Sequence, residues 1–228
     1  MPHPRRRKSL MTSLPPDETG PVGVRPEPAS DQPSEPRREK TEDRRAAIAI
    51  AARAIIAEKG LEGLRTRDIA ARVGINIATL HYHVPSKEAL IALVAESIRD
   101  IFRAQYHRRP RQCKTAREML RMEFEDFAEI LTETPSLLLV IGELNERARR
   151  DPAIAAIMSP MSQFWRDQLA DLLRLGVADG SFRPDIDPVS GAVIITGALT
   201  QFSRFPHPAG AADALFSEIE RAFARSEV

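Results

Sequence analysis

The sequence predicts an all-α protein, and three observations carry that expectation. Aromatic residues make up only 5% of the 228, alanine and leucine are frequent, and no run of alternating β-branched residues stands out. Apolar residues recur at helical spacing in most segments beyond about residue 40. The breaks between those segments carry helix punctuation. Gly60, Gly74 and Gly180 stand at expected ends, and Asn76, Ser86, Asp151-Pro152 and Asp187-Pro188 at expected starts. About nine helices are predicted, divided into a short N-terminal tail over 1–40, a helical unit over 41–105 and a larger helical domain over 106–228.

Residues 1–40 read as a disordered tail. They hold half of the chain's 18 prolines and few apolar residues, so little burial offsets the entropy of ordering them. Arg5, Arg6, Arg7 and Lys8 can track a phosphate backbone or reach a minor groove, or can simply be solvated. The apolar run beside them is too short for a signal-peptide core, and no apolar run approaches the ~20 residues of a membrane span. The lone Cys113 excludes an internal disulfide and a cysteine-built zinc site. These features predict a cytoplasmic protein with no membrane partner.

The net charge of +1 conceals an uneven distribution. Residues 1–40 carry 8 basic against 6 acidic side chains, 41–110 carry 12 against 8, and 111–228 carry 13 against 18. A basic module followed by an acidic one fits a nucleic-acid contact confined to the first half.

The unit over 41–105 is read helix by helix. A first helix from Thr41 to Glu58 buries Ile48, Ala52, Ile55 and Ile56, with Glu42 and Asp43 favoured in its first turn. A second buries Ile69, Ala70 and Val73, with Thr66 as the expected capping hydroxyl, and Gly74 supplies the positive φ that ends it. Asn76 caps a third through Ile77, Thr79, Leu80 and Tyr82. Two helices around a short glycine turn make a helix-turn-helix, whose second helix can enter the DNA major groove; the same spacing also suits an αα-corner with no partner. Pro85 stops the third helix and Ser86 caps a fourth, expected to run to about Gln105. Lys87 opens that fourth helix, where a cation suits the dipole poorly but serves well to hold a phosphate. The three helices form a homeodomain-like unit, covered by Leu90, Val94, Ile98 and Ile101 of the fourth.

Residues 44–98 carry a resemblance in their order of features: an alanine pair in the first helix, Gly60, Ile69-Ala70, Gly74, Thr79-Leu80, His83, then Ser86-Lys87-Glu88 and Leu90. This order resembles the N-terminal domain of the TetR family of transcriptional regulators. The resemblance implies that the helix opening at Ile77 is the recognition helix, and that Thr79, the His81/Tyr82 pair and Lys87 contact phosphates. It further implies an all-helical C-terminal domain for ligand binding and dimerisation. The tyrosine expected after Thr-Leu is displaced, with His81 in its place and Tyr82 one residue later, a rotation of about 100° around the helix. Ile77 stands where a polar residue is common, so its readout is limited to apolar contact such as a thymine methyl. Asn76, Ile77, Ala78 and Thr79 are expected to face bases, with Arg65, Thr66 and Arg67 as further phosphate contacts and His83 as a further DNA contact.

Beyond a polar, basic segment over Tyr106–Arg111, with Pro110 as the hinge between modules, about five helices follow. One over Thr115–Thr132 carries Leu120, Phe124, Phe127 and Leu131; its Glu123, Glu125, Asp126 and Glu129 read as a solvated face. The next, Ser136–Arg149, is apolar all round over Leu137–Ile141 and is expected to be deeply buried. A longer helix starts at Asp151-Pro152 and ends at Gly180, with Pro160 predicting a kink or restart. Two more carry Val193, Leu199 and Phe202, then Leu215, Phe216, Ile219 and Phe223. Gly191, Ala192, Gly197 and Ala198 permit close helix approach there. The resemblance implies that this last pair builds a four-helix bundle with a second subunit, whereas periodicity alone equally allows burial within one chain.

No phosphate-binding glycine loop, nucleophile elbow, zinc-protease motif or isolated carboxylate pair occurs, so no enzyme is expected. His81 and His83 at i, i+2 point to different sides of a helix and lack a third ligand, so no metal and no cofactor are expected. Phe124, Phe127, Met158, Met161 and Trp165 are candidates to line an apolar effector pocket, although core packing explains them equally well. The sequence is thus read as a DNA-binding transcriptional regulator: a ligand-responsive repressor, homodimeric on a palindromic double-stranded operator, with a small-molecule effector. The alternative is a helical sensor or interaction module that has lost DNA binding.

Overall fold

A computed structural model describes residues 35–225 of the chain, and the tail expected over 1–40 lies outside the described residues as far as residue 34. Nine α-helices fill the described residues: α1 Glu35–Lys59, α2 Thr66–Val73, α3 Ile77–His83, α4 Lys87–Arg108, α5 Ala116–Glu133, α6 Pro135–Ala148, α7 Pro152–Asp179, α8 Pro188–Phe202 and α9 Ala211–Phe223. A single 3-10 turn, Leu61–Gly63, joins α1 to α2. The architecture is the expected all-α one, a helix-turn-helix unit followed by a larger helical domain. α1 begins at Glu35 rather than Thr41, and α4 runs on to Arg108 rather than Gln105, leaving Pro110 in the loop beyond it.

Two apolar clusters organise the chain. The first joins Ile48, Ile55 and Ile56 of α1, Ile69 of α2, Leu80 of α3 and Leu90, Ile91, Val94 and Ile98 of α4. It continues without a break into Val140 and Leu144 of α6 and Ile154 and Met158 of α7. The three-helix unit is therefore seated on the second module, and at about 1.5–3 kcal/mol per fully buried aliphatic side chain this shared core is substantial. The second cluster joins Leu120, Phe124 and Phe127 of α5, Leu169 and Leu173 of α7, Ala192, Ile195 and Leu199 of α8, and Phe216, Ile219 and Phe223 of α9. Phe124 and Phe216 stack with ring centroids 4.7 Å apart.

Several local features explain the path. α7 passes through Pro160 as one continuous helix, so the proline does not restart it. Asp151 caps α7 through the amides of Ala153 and Ile154, and Asp187 caps α8 through Ser190 at 2.7 Å. Between them Phe182 folds back under α7, its amide bonded to the Gly176 carbonyl at 2.9 Å. A β-carbon on Gly176 would lie 1.9 Å from the Phe182 ring, so only glycine permits this approach.

Two expectations about α6 and α5 are corrected. Leu137–Ile141 is not buried all round: Leu137 and Val140 are, but Leu139 is 55% exposed, because α6 packs on its neighbours through one face only. Nor do Glu123, Asp126 and Glu129 form a solvated face. Asp126 is buried and the other two half-buried, because arginines from the α4–α5 segment lie over them; Glu125 alone is exposed.

Candidate nucleic-acid interface

The interface is assembled by short-range hydrogen bonds. At the end of α2, Gly74 adopts φ 71°, and the amides of Gly74 and Ile75 bond the carbonyls of Ala71 and Ala70. Asn76 then accepts from the Thr79 amide at 2.7 Å, which starts α3. At seven residues α3 is too short to be stable alone, and its fully buried Leu80 anchors it to the core. Ser86 accepts from the Ala89 amide at 3.1 Å and starts α4. Arg45 of α1 donates to the carbonyl of His83 at 3.2 Å and pins the far end of α3.

This anchoring fixes which side chains face outward. Ile77, Ala78, His81 and Tyr82 share the exposed face of α3, with Ile77 48% and Tyr82 76% exposed. One turn of helix sets 77 beside 81 and 78 beside 82, a patch one side chain wide on each row. Asn76 is exposed at the helix start, its side-chain oxygen engaged in the cap. Thr79 and His83 are half-buried on the flank between that patch and the core. Burial, with Arg45 and Arg44 nearby, holds the His83 imidazole below its usual value.

The surrounding cations divide into two kinds. Arg65, Thr66 and Arg67 are exposed at the start of α2, and Lys87 is exposed at the start of α4. Neither Arg65 nor Lys87 forms an ion pair among the described residues, while Arg67 lies 3.4 Å from Asp68. Thr66 is the first residue of α2 and not its cap; Arg65 holds the cap position without a side-chain bond. The other nearby cations serve the fold. Arg72 bonds Glu58 through both guanidinium arms at 2.9 and 2.8 Å, and Lys59 bonds Asp68 at 3.2 Å.

Residues 48–94 match the model of the bacterial regulatory proteins of the tetR family. These residues form a TetR-type N-terminal domain. It is 28% identical over 159 residues to the HTH-type transcriptional repressor KstR2 of Mycolicibacterium smegmatis, covering 70% of this chain and 75% of that protein. The structure of the ketosteroid transcriptional regulator KstR2 of Mycobacterium tuberculosis superposes with a TM-score of 0.63 at 23% identity, over 80% of this chain and 96% of the other. AibR, solved in complex with isovaleryl coenzyme A and operator DNA, superposes with a TM-score of 0.65 at 24% identity, over 79% and 98%. Both named relatives are transcriptional regulators by description.

The five side chains expected to line one effector pocket are not brought together. Phe124, Phe127 and Trp165 pack in or against the second cluster, Met158 and Met161 in or against the first, and core packing accounts for all five. A cleft of about 280 Å³ lies elsewhere, between the end of α4, the α4–α5 loop, α5 and α7, lined by Arg111, Glu123, Leu169 and Leu172 among others. Arg111 bonds Glu123 at 2.7 Å and Asp126 at 2.8 Å, and its guanidinium lies 4.1 Å over the Tyr106 ring. Burial pushes the Glu123 carboxyl above the usual carboxylate range despite Arg111 beside it. Sequence spacing did not single out Arg111, because its partners stand 12 and 15 residues away on another helix.

Further links join the two modules. Glu143 of α6 accepts from the Leu61 amide at 3.3 Å, and Arg147 bonds Glu62 at 3.1 Å. Both grip the turn that leads into α2.

Proposed function

We propose that the chain is a homodimeric DNA-binding transcriptional regulator, a repressor released by a small molecule, with α3 as its recognition helix. The observation that carries the reading is the exposed patch Ile77, Ala78, His81 and Tyr82 between the exposed cations Arg65 and Lys87. Cations at the two helix starts fix register on phosphates, and the patch between them meets base edges. Tyr82 reaches backbone or sugar, Ile77 and Ala78 offer apolar contact to thymine methyls, and His81 offers a ring nitrogen. Thr79 and Asn76 stand at the rim of the patch, with Arg67 and Thr66 behind them; His83 lies off it and shapes the helix end. AibR, solved with operator DNA, and KstR2, named as a repressor, support the same reading by kinship.

Dimerisation is supported by α8. Val189, Val193 and Ile194 are each more than half exposed, and Gly197, one turn further on, meets no other part of the chain. Such an aliphatic stripe on one helix fits a second copy, with Gly197 allowing the backbones to approach. In a dimer two recognition helices would meet successive major grooves of a palindrome, about 34–36 Å apart. α4, about 33 Å long at 1.5 Å per residue, runs from Lys87 at the DNA face to the arginines beside the cleft. An effector that binds one seating of α4 better than another shifts the population, and DNA then weakens the effector in equal measure.

The test is fluorescence anisotropy with fragments flanking the gene, beside sedimentation of the same protein. A dimer that binds one fragment with at least about a thousandfold preference over random DNA is expected. Gly197→Arg is expected to give a folded monomer with much weaker DNA binding. A wild-type chain that is monomeric, or that binds every fragment alike, contradicts the reading and favours a helical module without DNA readout.

A further inference from the structure

We propose that the N-terminal turns of α1 form a second DNA contact, in which the exposed Lys40 and Arg44 meet backbone phosphates of the duplex flanking the stretch held by α3. The inference rests on the regulator reading and extends its interface to a helix outside the helix-turn-helix.

Helical register and burial place these two cations. α1 begins at Glu35, so Lys40 is helical rather than part of a tail. Lys40, Arg44, Ile48, Ala51 and Ile55 follow one another at steps of three or four residues and therefore share one face of α1. Ile48, Ala51 and Ile55 on that face are buried in the core, whereas Lys40 and Arg44 are exposed. The face is apolar where it is covered and basic where the cover ends. Glu42, two residues from each cation, stands about 160° away on the other side of the helix. Asp43 stands three residues from Lys40 without pairing with it, and the side chains of Lys40 and Arg44 form no ion pair or hydrogen bond among the described residues.

Arg45 ties this part of α1 to the end of α3. Its guanidinium donates to the His83 carbonyl at 3.2 Å and lies 3.7 Å from Glu96 of α4. Arg45 is thereby occupied, and Arg44 beside it is not. Arg44 is near enough to help hold the His83 imidazole below its usual value, which sets its charge at the same end of α3 as Tyr82. Lys40 stands one turn further out, about 6 Å along the axis at 1.5 Å per residue. The two cations continue the exposed patch of α3 past its last turn. Charge complementarity selects phosphate as their partner, and continuity with that patch selects the same duplex. Phosphates carry no sequence information, so this contact adds affinity and register without base preference.

Fluorescence anisotropy of the full-length protein with one flanking DNA fragment, at several salt concentrations, tests the proposal. In the Lys40→Ala/Arg44→Ala double variant the slope of log affinity against log salt should be shallower than in the wild type by about one unit per lost phosphate contact, with sequence preference retained. Lys40→Gln/Arg44→Gln serves if the alanine form fails to fold. Trimming a few base pairs from each end of the fragment should flatten the wild-type slope and leave that of the double variant unchanged, because the phosphates concerned lie outside the stretch met by α3. Glu42→Gln changes the net charge on the far face of α1 and should leave the slope at its wild-type value. A shift in Glu42→Gln as large as that in Lys40→Ala shows that overall charge acts, and overturns the contact. A double-variant slope equal to that of the wild type also overturns it, while specific wild-type binding to the same fragment leaves α3 as the reader. A wild-type protein that binds no fragment overturns both the contact and the regulator reading.

Discussion

The starts of α2 and α4 and the α4–α5 corner use arginine and lysine in opposite ways. Around α3 the chain is shaped by caps: Asn76 to Thr79, Ser86 to Ala89, and Gly74 back to Ala71, each within three residues. Such bonds consume no cationic side chain, so Arg65 and Lys87 are left facing outward. At the α4–α5 corner Arg108, Arg109 and Arg111 turn inward onto carboxylates 12 to 21 residues away. A cation serves an external partner or an internal one according to whether a carboxylate on a neighbouring helix lies within reach. Basic residues in a sequence therefore mark a nucleic-acid surface only once that question is answered.

The contrast can be broken most forcefully on the C-terminal side, where shape rather than capping decides. Gly176→Ala should gain about 1 kcal/mol of helix propensity but force the Phe182 ring out of its seat, a net loss of about 2 kcal/mol by urea denaturation. An unchanged midpoint would mean that Phe182 is not held against α7. On the N-terminal side the corresponding lesion is smaller. Asn76→Ala removes the cap of α3 and should cost about 1 kcal/mol, with a larger relative loss of DNA affinity because α3 itself frays. The smallest effect sharpens the comparison through pH. The folded-state value of His83 is lowered by burial and by Arg45 and Arg44, so its contribution is full above the ordinary value near 6.5 and lost as pH falls through the lowered one. Wild-type thermal stability should therefore fall more steeply below neutrality than that of His83→Gln. Parallel profiles would show that His83 titrates freely.

The same difference explains what could be read from residues alone. Capping residues and helix-ending glycines act on their own neighbours, so Gly74, Asn76, Ser86, Asp151 and Asp187 declared their roles in the sequence. Glu123, Asp126 and Glu129 were misread because helical spacing alone made them a solvated face, while their partners come from a loop that spacing does not place. Leu139 was misread for a related reason: an apolar stretch reports burial only where a neighbour covers every side. The five candidate effector residues are divided between two separate cores, and periodicity does not tell one core from another. Gly176 carried no turn signal, and its reason lies six residues ahead in the ring of Phe182. On α3 the displaced tyrosine was legible, and the backbone places it on the outward face beside Ala78.

The most direct test of the central claim is the salt dependence of binding to one flanking DNA fragment. The logarithm of the association constant should fall linearly with the logarithm of salt concentration. In Lys87→Ala the slope should be shallower by about one unit per lost phosphate contact, while sequence preference is retained. Binding that is indifferent to salt, or a Lys87→Ala slope equal to that of the wild type, would contradict the reading of α3 and the start of α4 as a DNA interface.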